Sequence, residues 1–234
     1  MYPLKVTFSF NTPVVLESEH PIHFDGVLAA CVAREAEEMG STTAWTDADD
    51  LSHLLERTDA DEEGNWVWKA SQVVFEAASE RFMQSMVRRS EPEEFMRTQD
   101  AGLLSARKPR SYLSAGQGPD RSYFLYHSYQ WMSSATAHCI GDPVEIKNAL
   151  RYVQHLGKMG RNGFGAIANV DVTVVGDSDA WMCRFLPASH PGAAGTAYVP
   201  AMRRLRAPYW EKSDMAEVKM PVVEETEHCC QGSG

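Results

Sequence analysis

The sequence predicts an α+β fold, because segments with the strand period and segments with the helix period follow one another along the chain. Residues 4–10 alternate apolar and polar side chains, and residues 24–39 place apolar side chains at helical spacing. Further on, residues 135–140 read as a strand, residues 143–153 as a helix and residues 168–174 as a strand. A strand–helix unit and a later strand–helix–strand unit together favour a split βαβ, ferredoxin-like core.

The segments between these units predict inserted or additional elements. Residues 41–65 are polar and acidic, which is typical of an insertion or a short exposed helix on a solvated face. Strands are predicted over residues 66–75, 123–131 and 181–186, and a loop over residues 189–195. Residues 76–89 fit neither period clearly, and Pro92 interrupts any helix there. We therefore expect one domain over residues 1–221, with an acidic insertion around residues 41–65, and a disordered tail over residues 222–234.

The helix of the second half carries its own start signal. Asp142 has a side chain that suits the N-cap, Pro143 suits the first helical position, and Glu145 follows the cap by three residues. Apolar side chains then recur at helical spacing from Ile146. The helix is therefore expected to begin at Pro143.

Charge is distributed unevenly along the chain, although the net charge of −10 by itself argues against nucleic acid. Residues 1–100 hold 8 Lys and Arg against 20 Asp and Glu, a net −12. Residues 101–210 hold 12 against 6, a net +6, and residues 211–234 hold 2 against 6, a net −4. A basic centre between acidic flanks indicates one anion-binding face.

Cysteine usage and hydropathy bound the compartment. The five cysteines are odd in number and scattered, so a disulfide framework is not expected and a reducing cytoplasm fits best. No apolar run approaches the roughly twenty residues that span a bilayer. The first residues, Met1 to Lys5, do not have the pattern of a signal peptide. We expect a cytoplasmic protein that does not contact membranes.

A glycine-rich basic stretch over residues 155–167 separates the predicted helix from the predicted strand. Glycines allow close backbone approach and positive φ, while Lys158 and Arg161 suit phosphate. A nucleotide-binding P-loop needs Ser or Thr after its lysine, and Met159 stands there; the dinucleotide fingerprint needs the reverse order of strand and helix. The alternative is a plain helix-to-strand connection. The predicted RNA-binding residues here are Gly157, Lys158, Gly160, Arg161, Asn162, Gly163, Phe164 and Gly165.

Two further basic segments, residues 107–121 and 203–206, also lie beside glycine, proline or aromatic residues. Cations contact phosphates, small residues permit close approach, and aromatic rings stack on splayed bases, which is the usual way of binding single-stranded RNA. Each segment alone is weak, but three together mark an electrostatic footprint. Their predicted RNA-binding residues are Arg107, Lys108, Arg110, Ser114, Gly116, Gly118, Arg203, Arg204 and Arg206.

The order strand, Gly141-Asp142, helix, glycine-rich loop and strand resembles the RAMP superfamily of CRISPR-associated RNA-binding proteins. More narrowly, residues 23–29 (HFDGVLA), 114–119 (SAGQGP) and 206–210 (RAPYW) are similar to the subunit of type IV CRISPR effectors that caps the 5′ end of the guide RNA. The similarity is spread from about residue 4 to residue 221. In one place the chain departs from the family pattern: Met159-Gly160-Arg161 stand where relatives often carry a second cation beside the first.

This resemblance implies a ferredoxin-like (RRM-like) RAMP core with inserted strands and a structural, non-catalytic role. Such a subunit grips the 5′ handle of the guide RNA (crRNA) and abuts the backbone and large subunits of the effector. The resemblance also allows contact of the subunit with target DNA near its protospacer-adjacent motif. The resemblance implies no cofactor and no metal.

The rival prediction is a metal-independent endoribonuclease that processes the guide precursor, as some RAMP proteins do with a histidine as general base. The candidate bases are His20, His23, His127 and His155. For His23 we favour a structural role in capping or orienting the first helix, for His127 packing, and for His155 a place at a helix end, where a cation suits the dipole. Zinc is disfavoured, because the adjacent Cys229 and Cys230 lack the spacing of paired ligands.

Overall fold

The computed structural model describes residues 1–16, 21–89, 91–103, 116, 121–192 and 196–222. The chain divides into two compact units: one consists of Met1–Glu80 and Gln130–Gly234, the other of Arg81–Tyr129. Antiparallel sheets with few helices make the architecture α+β. No helix in the described ranges is long and apolar enough to cross a membrane.

The secondary structure comprises four α-helices and nine strands among the described residues. The helices are α1 (Phe24–Glu38), α2 (Ala44–Asp47), α3 (Pro92–Asp100) and α4 (Pro143–Ala149). The strands are β1 (Tyr2–Phe10), β2 (Val74–Ala77), β3 (Phe82–Arg88), β4 (Tyr123–Tyr129), β5 (Met132–Gly141), β6 (Ile167–Val174), β7 (Leu186–Pro187), β8 (Tyr198–Arg203) and β9 (Ala216–Pro221).

The main sheet of the first unit has the strand order β2-β5-β1-β6, and every neighbouring pair is antiparallel. At its centre, Val6 of β1 faces Ala137 of β5 on one side and Val172 of β6 on the other. Leu4, Val6 and Phe8 alternate with half-buried polar residues, so one face of β1 enters the core. The predicted strands over residues 4–10, 135–140 and 168–174 are confirmed.

Helices α1 and α4 complete this core. Phe24, Leu28 and Cys31, spaced by four and three residues, are buried on one face of α1. Gly40, with φ +83°, follows the helix end and terminates it. The predicted cap of α4 is confirmed: the Asp142 side chain accepts hydrogen bonds from Val144 N at 2.8 Å and Glu145 N at 3.1 Å. The helix is shorter than expected, since a 3-10 turn follows it over Leu150–Tyr152.

The acidic segment 41–65 contributes to the core, contrary to the expected solvated face. Leu51, Leu54 and Leu55 are each at most 2% exposed and pack in the main hydrophobic cluster. Backbone hydrogen bonds tie the segment to the end of β5, because Asp142 N donates to Leu54 O and Glu56 N to Ile140 O. The acidic residues that flank the leucines, Asp49, Asp50 and Glu56, hid this apolar spacing.

Two predicted strands are wrong in extent. Residues 66–75 form isolated bridges at Trp68, Ala70 and Gln72, and a ladder begins only at Val74. In place of one strand over residues 181–186, a 3-10 turn (Ala180–Met182) precedes the two-residue β7. Strand β7 belongs to a second sheet, β7-β9-β8, which packs its own cluster around Trp181, Leu186 and Val218.

The second unit holds the antiparallel strand pair β3 and β4, and α3 follows β3 along the chain. Aromatic side chains pair along these two strands, with Phe82 stacked on Tyr129 at 5.6 Å between ring centroids. The predicted strand over residues 123–131 is confirmed over Tyr123–Tyr129 as β4, and the segment that fitted neither period contains β3. Pro92 stands at the first position of α3, where the backbone N–H that proline lacks would have no partner within the helix. Proline therefore starts a helix here, although it was expected to interrupt one.

Candidate nucleic-acid interface

The glycine-rich loop, residues 157–165, takes a conformation that few other sequences can adopt. Gly157, Gly163 and Gly165 have φ of +90°, +88° and +65°, and Met159 has φ +63°. A 3-10 turn over Gly160–Asn162 lies between them. Left-handed backbone carries a small penalty for glycine and a larger one for other residues, which explains the repeated glycines.

Two of these glycines are required by close backbone contact as well. A Cβ on Gly165 would overlap Leu156 O, and one on Gly157 would lie 2.7 Å from Val15 O. A Cβ on Gly163 would meet nothing within 4 Å. The ends of the loop are thus packed against other backbone, while Gly163 at its tip faces open space.

Backbone hydrogen bonds hold both ends of the loop to the segment after β1. Lys158 N donates to Val15 O and Gly165 N to Pro13 O, each at 2.8 Å. Ala166 N donates to the Thr12 hydroxyl, also at 2.8 Å. The loop is therefore fixed at its base.

The predicted side chains of the loop are mostly presented to solvent. Lys158, Arg161 and Asn162 are exposed, and Phe164 is half-buried. A fixed backbone with two exposed cations suits a phosphate-containing ligand.

The three arginines of residues 203–206 have protein partners. Arg204 forms an ion pair with Glu211 and lies 3.8 Å from the Asp214 carboxylate. Arg206 stacks over the Trp66 ring at 4.2 Å and donates to Trp66 O at 3.0 Å. Arg203 donates to Met202 O at 3.0 Å. These contacts account for much of the local basic pattern, and the structure does not bring this segment into the glycine-rich loop.

The third basic segment lies largely outside the described residues. The predicted RNA-binding residues that fall outside the described ranges are Arg107, Lys108, Arg110, Ser114 and Gly118. Gly116 is described and exposed.

A groove lined by residues of α1 borders the glycine-rich loop at Gly157, and we call it the α1 groove. Its volume is about 610 Å³. Apolar residues of α1 and the backbone of Gly157 form one part of the wall, and residues 207–210 form another. Polar side chains also line it, among them His23, Arg34, Asp49 and His155. Sequence reasoning did not find this groove, because its walls come from four distant segments.

A buried ionic cluster anchors the wall formed by residues 207–210. Arg184 is 0% exposed, and its Nη2 lies 3.4 Å from the Asp25 carboxylate and 2.9 Å from the Tyr209 hydroxyl. The Tyr209 hydroxyl donates to the Asp25 carboxylate at 2.8 Å. Arg184 also donates to the carbonyls of Trp68 (2.6 Å), Ala70 (3.0 Å) and Leu205 (2.7 Å). We call Arg184, Asp25 and Tyr209 the Arg184 cluster.

Burial and charge within the Arg184 cluster act on the pKa values of Arg184 and Tyr209. Burial works to lower the pKa of Arg184, but the Asp25 carboxylate and Tyr209 outweigh it and raise that pKa. Burial raises the pKa of Tyr209 well above its usual range. The guanidinium therefore stays charged and the phenol stays neutral. Asp25 and Tyr209 come from residues 23–29 and 206–210, so two of the short motifs that carried the family resemblance meet here.

His23 packs against the Arg184 cluster. Its side chain does not cap α1, although capping was one of the two structural roles expected for it. Its ring stacks on Tyr209 and meets Phe185 edge-on, each at 4.4 Å between centroids. Neither ring nitrogen has a hydrogen-bond partner among the described residues. Burial, and then the charge of Arg184, hold the pKa of His23 well below its usual range, so the ring is neutral.

The other histidine predictions meet different settings. His155 lies beyond the end of α4 and forms a bridge with Ala166, so the expected role at the helix dipole is wrong. His127 lies half-buried on β4, in agreement with packing. His20 falls outside the described residues.

No group of His, Cys, Asp and Glu in the described ranges is arranged to hold a metal. Cys183 instead accepts a hydrogen bond from Gln72 Nε2 at 3.6 Å. Cys229 and Cys230 fall outside these ranges.

The geometry defines an antiparallel α+β protein with a rigid, basic, glycine-rich loop beside an apolar groove. Residues 2–221 match the family model of the CRISPR type IV associated protein Csf3. The chain therefore belongs to this family of type IV CRISPR-associated proteins. No curated protein matches the chain in sequence.

Proposed function

We propose that the protein is a non-catalytic RNA-binding subunit of a type IV CRISPR effector complex, which caps the 5′ handle of the crRNA. The observation that carries the proposal is the glycine-rich loop, fixed at its base by Val15 and Pro13 and exposing Lys158 and Arg161. A preorganised loop loses little entropy on binding, and its two exposed cations suit phosphate. Membership of the type IV CRISPR family supports an RNA-containing assembly as the setting.

A ferredoxin-like RAMP core is part of this proposal. The strand order β2-β5-β1-β6, with α1 after β1 and α4 between β5 and β6, supports it. In this reading β2 and β5 are the hairpin strands of the core, and the chain between them is inserted. The glycine-rich loop then follows the second core helix and leads into the last core strand.

The partners belong to the proposal too. We assign the backbone and large subunits of the effector as protein neighbours, the crRNA as ligand, and target DNA near its protospacer-adjacent motif as a further contact, all in the cytoplasm. The acidic residues of the first hundred positions suit basic protein surfaces and disfavour phosphate.

The proposed absence of catalysis is supported by the setting of His23, the described one of the two histidines just before α1, where a catalytic histidine could lie. A general base must reach the proton that it removes. His23 is 2% exposed and enclosed by Tyr209 and Phe185, which keep a 2′-hydroxyl away from its nitrogens. Isolated protein should leave a repeat hairpin RNA intact; metal-independent cleavage that disappears in His23→Ala would establish the endoribonuclease instead.

Salt-dependent RNA binding tests the loop. The variant Lys158→Ala/Arg161→Ala should bind every RNA sequence more weakly and flatten the dependence of log K on log salt by about 0.7 per lost phosphate contact. The control Lys147→Ala/Lys212→Ala removes the same charge from exposed positions outside the loop. It should keep the wild-type slope. An unchanged slope in the loop variant would leave the loop as a mere connection.

A further inference from the structure

The phosphate contacts proposed for the glycine-rich loop leave the α1 groove empty, although Gly157 belongs to both the loop and the groove. We propose that the groove receives one unstacked nucleobase of the RNA held at the loop, and that Trp210 is the platform on which this base stacks. The inference rests on the proposed function and names the part of the ligand that the groove reads.

Trp210 has the exposure and the support that a stacking platform needs. Its side chain is 82% exposed, the largest exposed fraction among the big apolar residues described. Its neighbour Tyr209 is fixed by the hydroxyl contacts to Asp25 and Arg184, at 2.8 and 2.9 Å. The backbone that carries Trp210 is therefore held next to a buried cluster, while the indole remains in water. Bases stack readily on such rings.

The size and lining of the groove suit a nucleobase. A volume of about 610 Å³ falls in the range of small-ligand sites, about 300–1,000 Å³. Its apolar wall matches the flat faces of a base. Arg34 and Asp49 offer donors and acceptors to the polar edge of a base. Arg34 uses one of its N–H groups on Tyr152 O at 2.9 Å.

His23 belongs to the inner wall of the groove. Its neutral imidazole is 2% exposed and stacks on Tyr209, so its ring nitrogens stay enclosed and the ring contributes to the wall through its packing.

A protein segment is the rival occupant. Stable protein interfaces bury about 1,000 Å² or more, which calls for an extended apolar surface around the groove. Here Gly157 lines the groove, and the next residue along the chain is the exposed cation Lys158. An apolar slot beside a cationic loop matches a nucleotide, whose base and phosphate are joined in the same way.

The test is the binding of synthetic single-stranded RNAs of equal length, poly(A), poly(U) and poly(C), to purified full-length variants. Trp210→Ala should weaken binding by about 5- to 150-fold, as expected for one lost stacking contact, with the salt slope unchanged because no charge is removed. Trp210→Phe should retain most of the affinity. The control Trp131→Ala, at a 45% exposed tryptophan outside the groove lining, should bind as the wild type does.

The outcomes separate this inference from the proposed function. Wild-type binding by Trp210→Ala, while Lys158→Ala/Arg161→Ala is weakened, would overturn the base site and leave the RNA-binding function intact. Loss of co-purifying effector subunits from Trp210→Ala with RNA affinity unchanged would overturn it in favour of a protein interface. Failure of the wild-type protein to bind any of the RNAs would overturn both.

Discussion

At the scale of residues, Arg184 is a fully buried cation whose charge is met by partners from several segments. An arginine with 0% exposure is rare, and this one is paired with Asp25 and bonded to three backbone carbonyls beyond its own segment. Removing one partner of a buried pair leaves an uncompensated charge and costs about 3–5 kcal/mol. Arg184 thus fixes Tyr209, and through it the wall of the α1 groove.

His23 gives the sharpest stability prediction at this scale. His23→Phe keeps the ring stacked between Tyr209 and Phe185 and removes two unpaired nitrogens. The free energy of unfolding should therefore rise by about 1–3 kcal/mol, as measured by denaturant unfolding at pH 7.5. If the variant is less stable than the wild type, the nitrogens have partners that this account lacks.

The same substitution predicts a change in pH dependence. The depressed pKa of His23 means that the unfolded chain binds more protons below about pH 6.5, so the wild type loses stability as pH falls through that value. His23→Phe should lose less stability between pH 7 and pH 5. Parallel curves for the two proteins would show that His23 titrates normally.

At the scale of elements, the glycine-rich loop separates backbone requirement from ligand contact. Gly165→Ala should be severely destabilising, because the new Cβ would overlap Leu156 O at a position with positive φ. The new Cβ of Gly163→Ala meets nothing within 4 Å, so the free energy of unfolding should fall only by the penalty of left-handed backbone, about 1–2 kcal/mol. Thermal unfolding should show a far larger loss for Gly165→Ala; equal losses would contradict the packing described here.

Gly163→Val extends this comparison to binding. Its φ of +88° disfavours a branched side chain, and its place at the open tip would put that side chain where we propose that a phosphate binds. RNA affinity should fall with the salt slope unchanged. Unfolding measured alongside distinguishes blocked approach from loss of the folded loop.

The elements that the sequence predicted well are those with one dominant local signal. The alternation of β1 and the Asp142 cap of α4 need no tertiary information, and both are present as predicted. Residues 66–75 alternate like a strand, but their backbone partners come from several segments, so they form isolated bridges. Leu51, Leu54 and Leu55 were missed because acidic neighbours dominate the composition of that segment.

The candidate site was predictable in the same uneven way. Glycines and cations in one short loop can be read from spacing, whereas the α1 groove and the Arg184 cluster join residues more than a hundred positions apart. Arg204 and Arg206 look like free cations in the sequence. Their partners Glu211 and Trp66 become evident only in the fold.

At the scale of the whole molecule, the division of charge gives the loop its setting. The chain carries −10 overall, yet its acidic residues concentrate in the first hundred positions and the loop lies in the basic centre. Phosphate should therefore meet residues 157–165 and avoid residues 35–63, where like charge repels it. Membership of a type IV CRISPR family makes an effector complex the assembly in which to look.

The most direct measurement is RNA–protein cross-linking in the complex purified with its operon partners, followed by mass spectrometry of the cross-linked peptides. We predict that RNA co-elutes, that cross-links fall within residues 157–165, and that those of residues 35–63 which do not line the α1 groove carry none. A complex that elutes without RNA, or one whose cross-links map to these excluded residues and avoid the glycine-rich loop, would contradict this prediction.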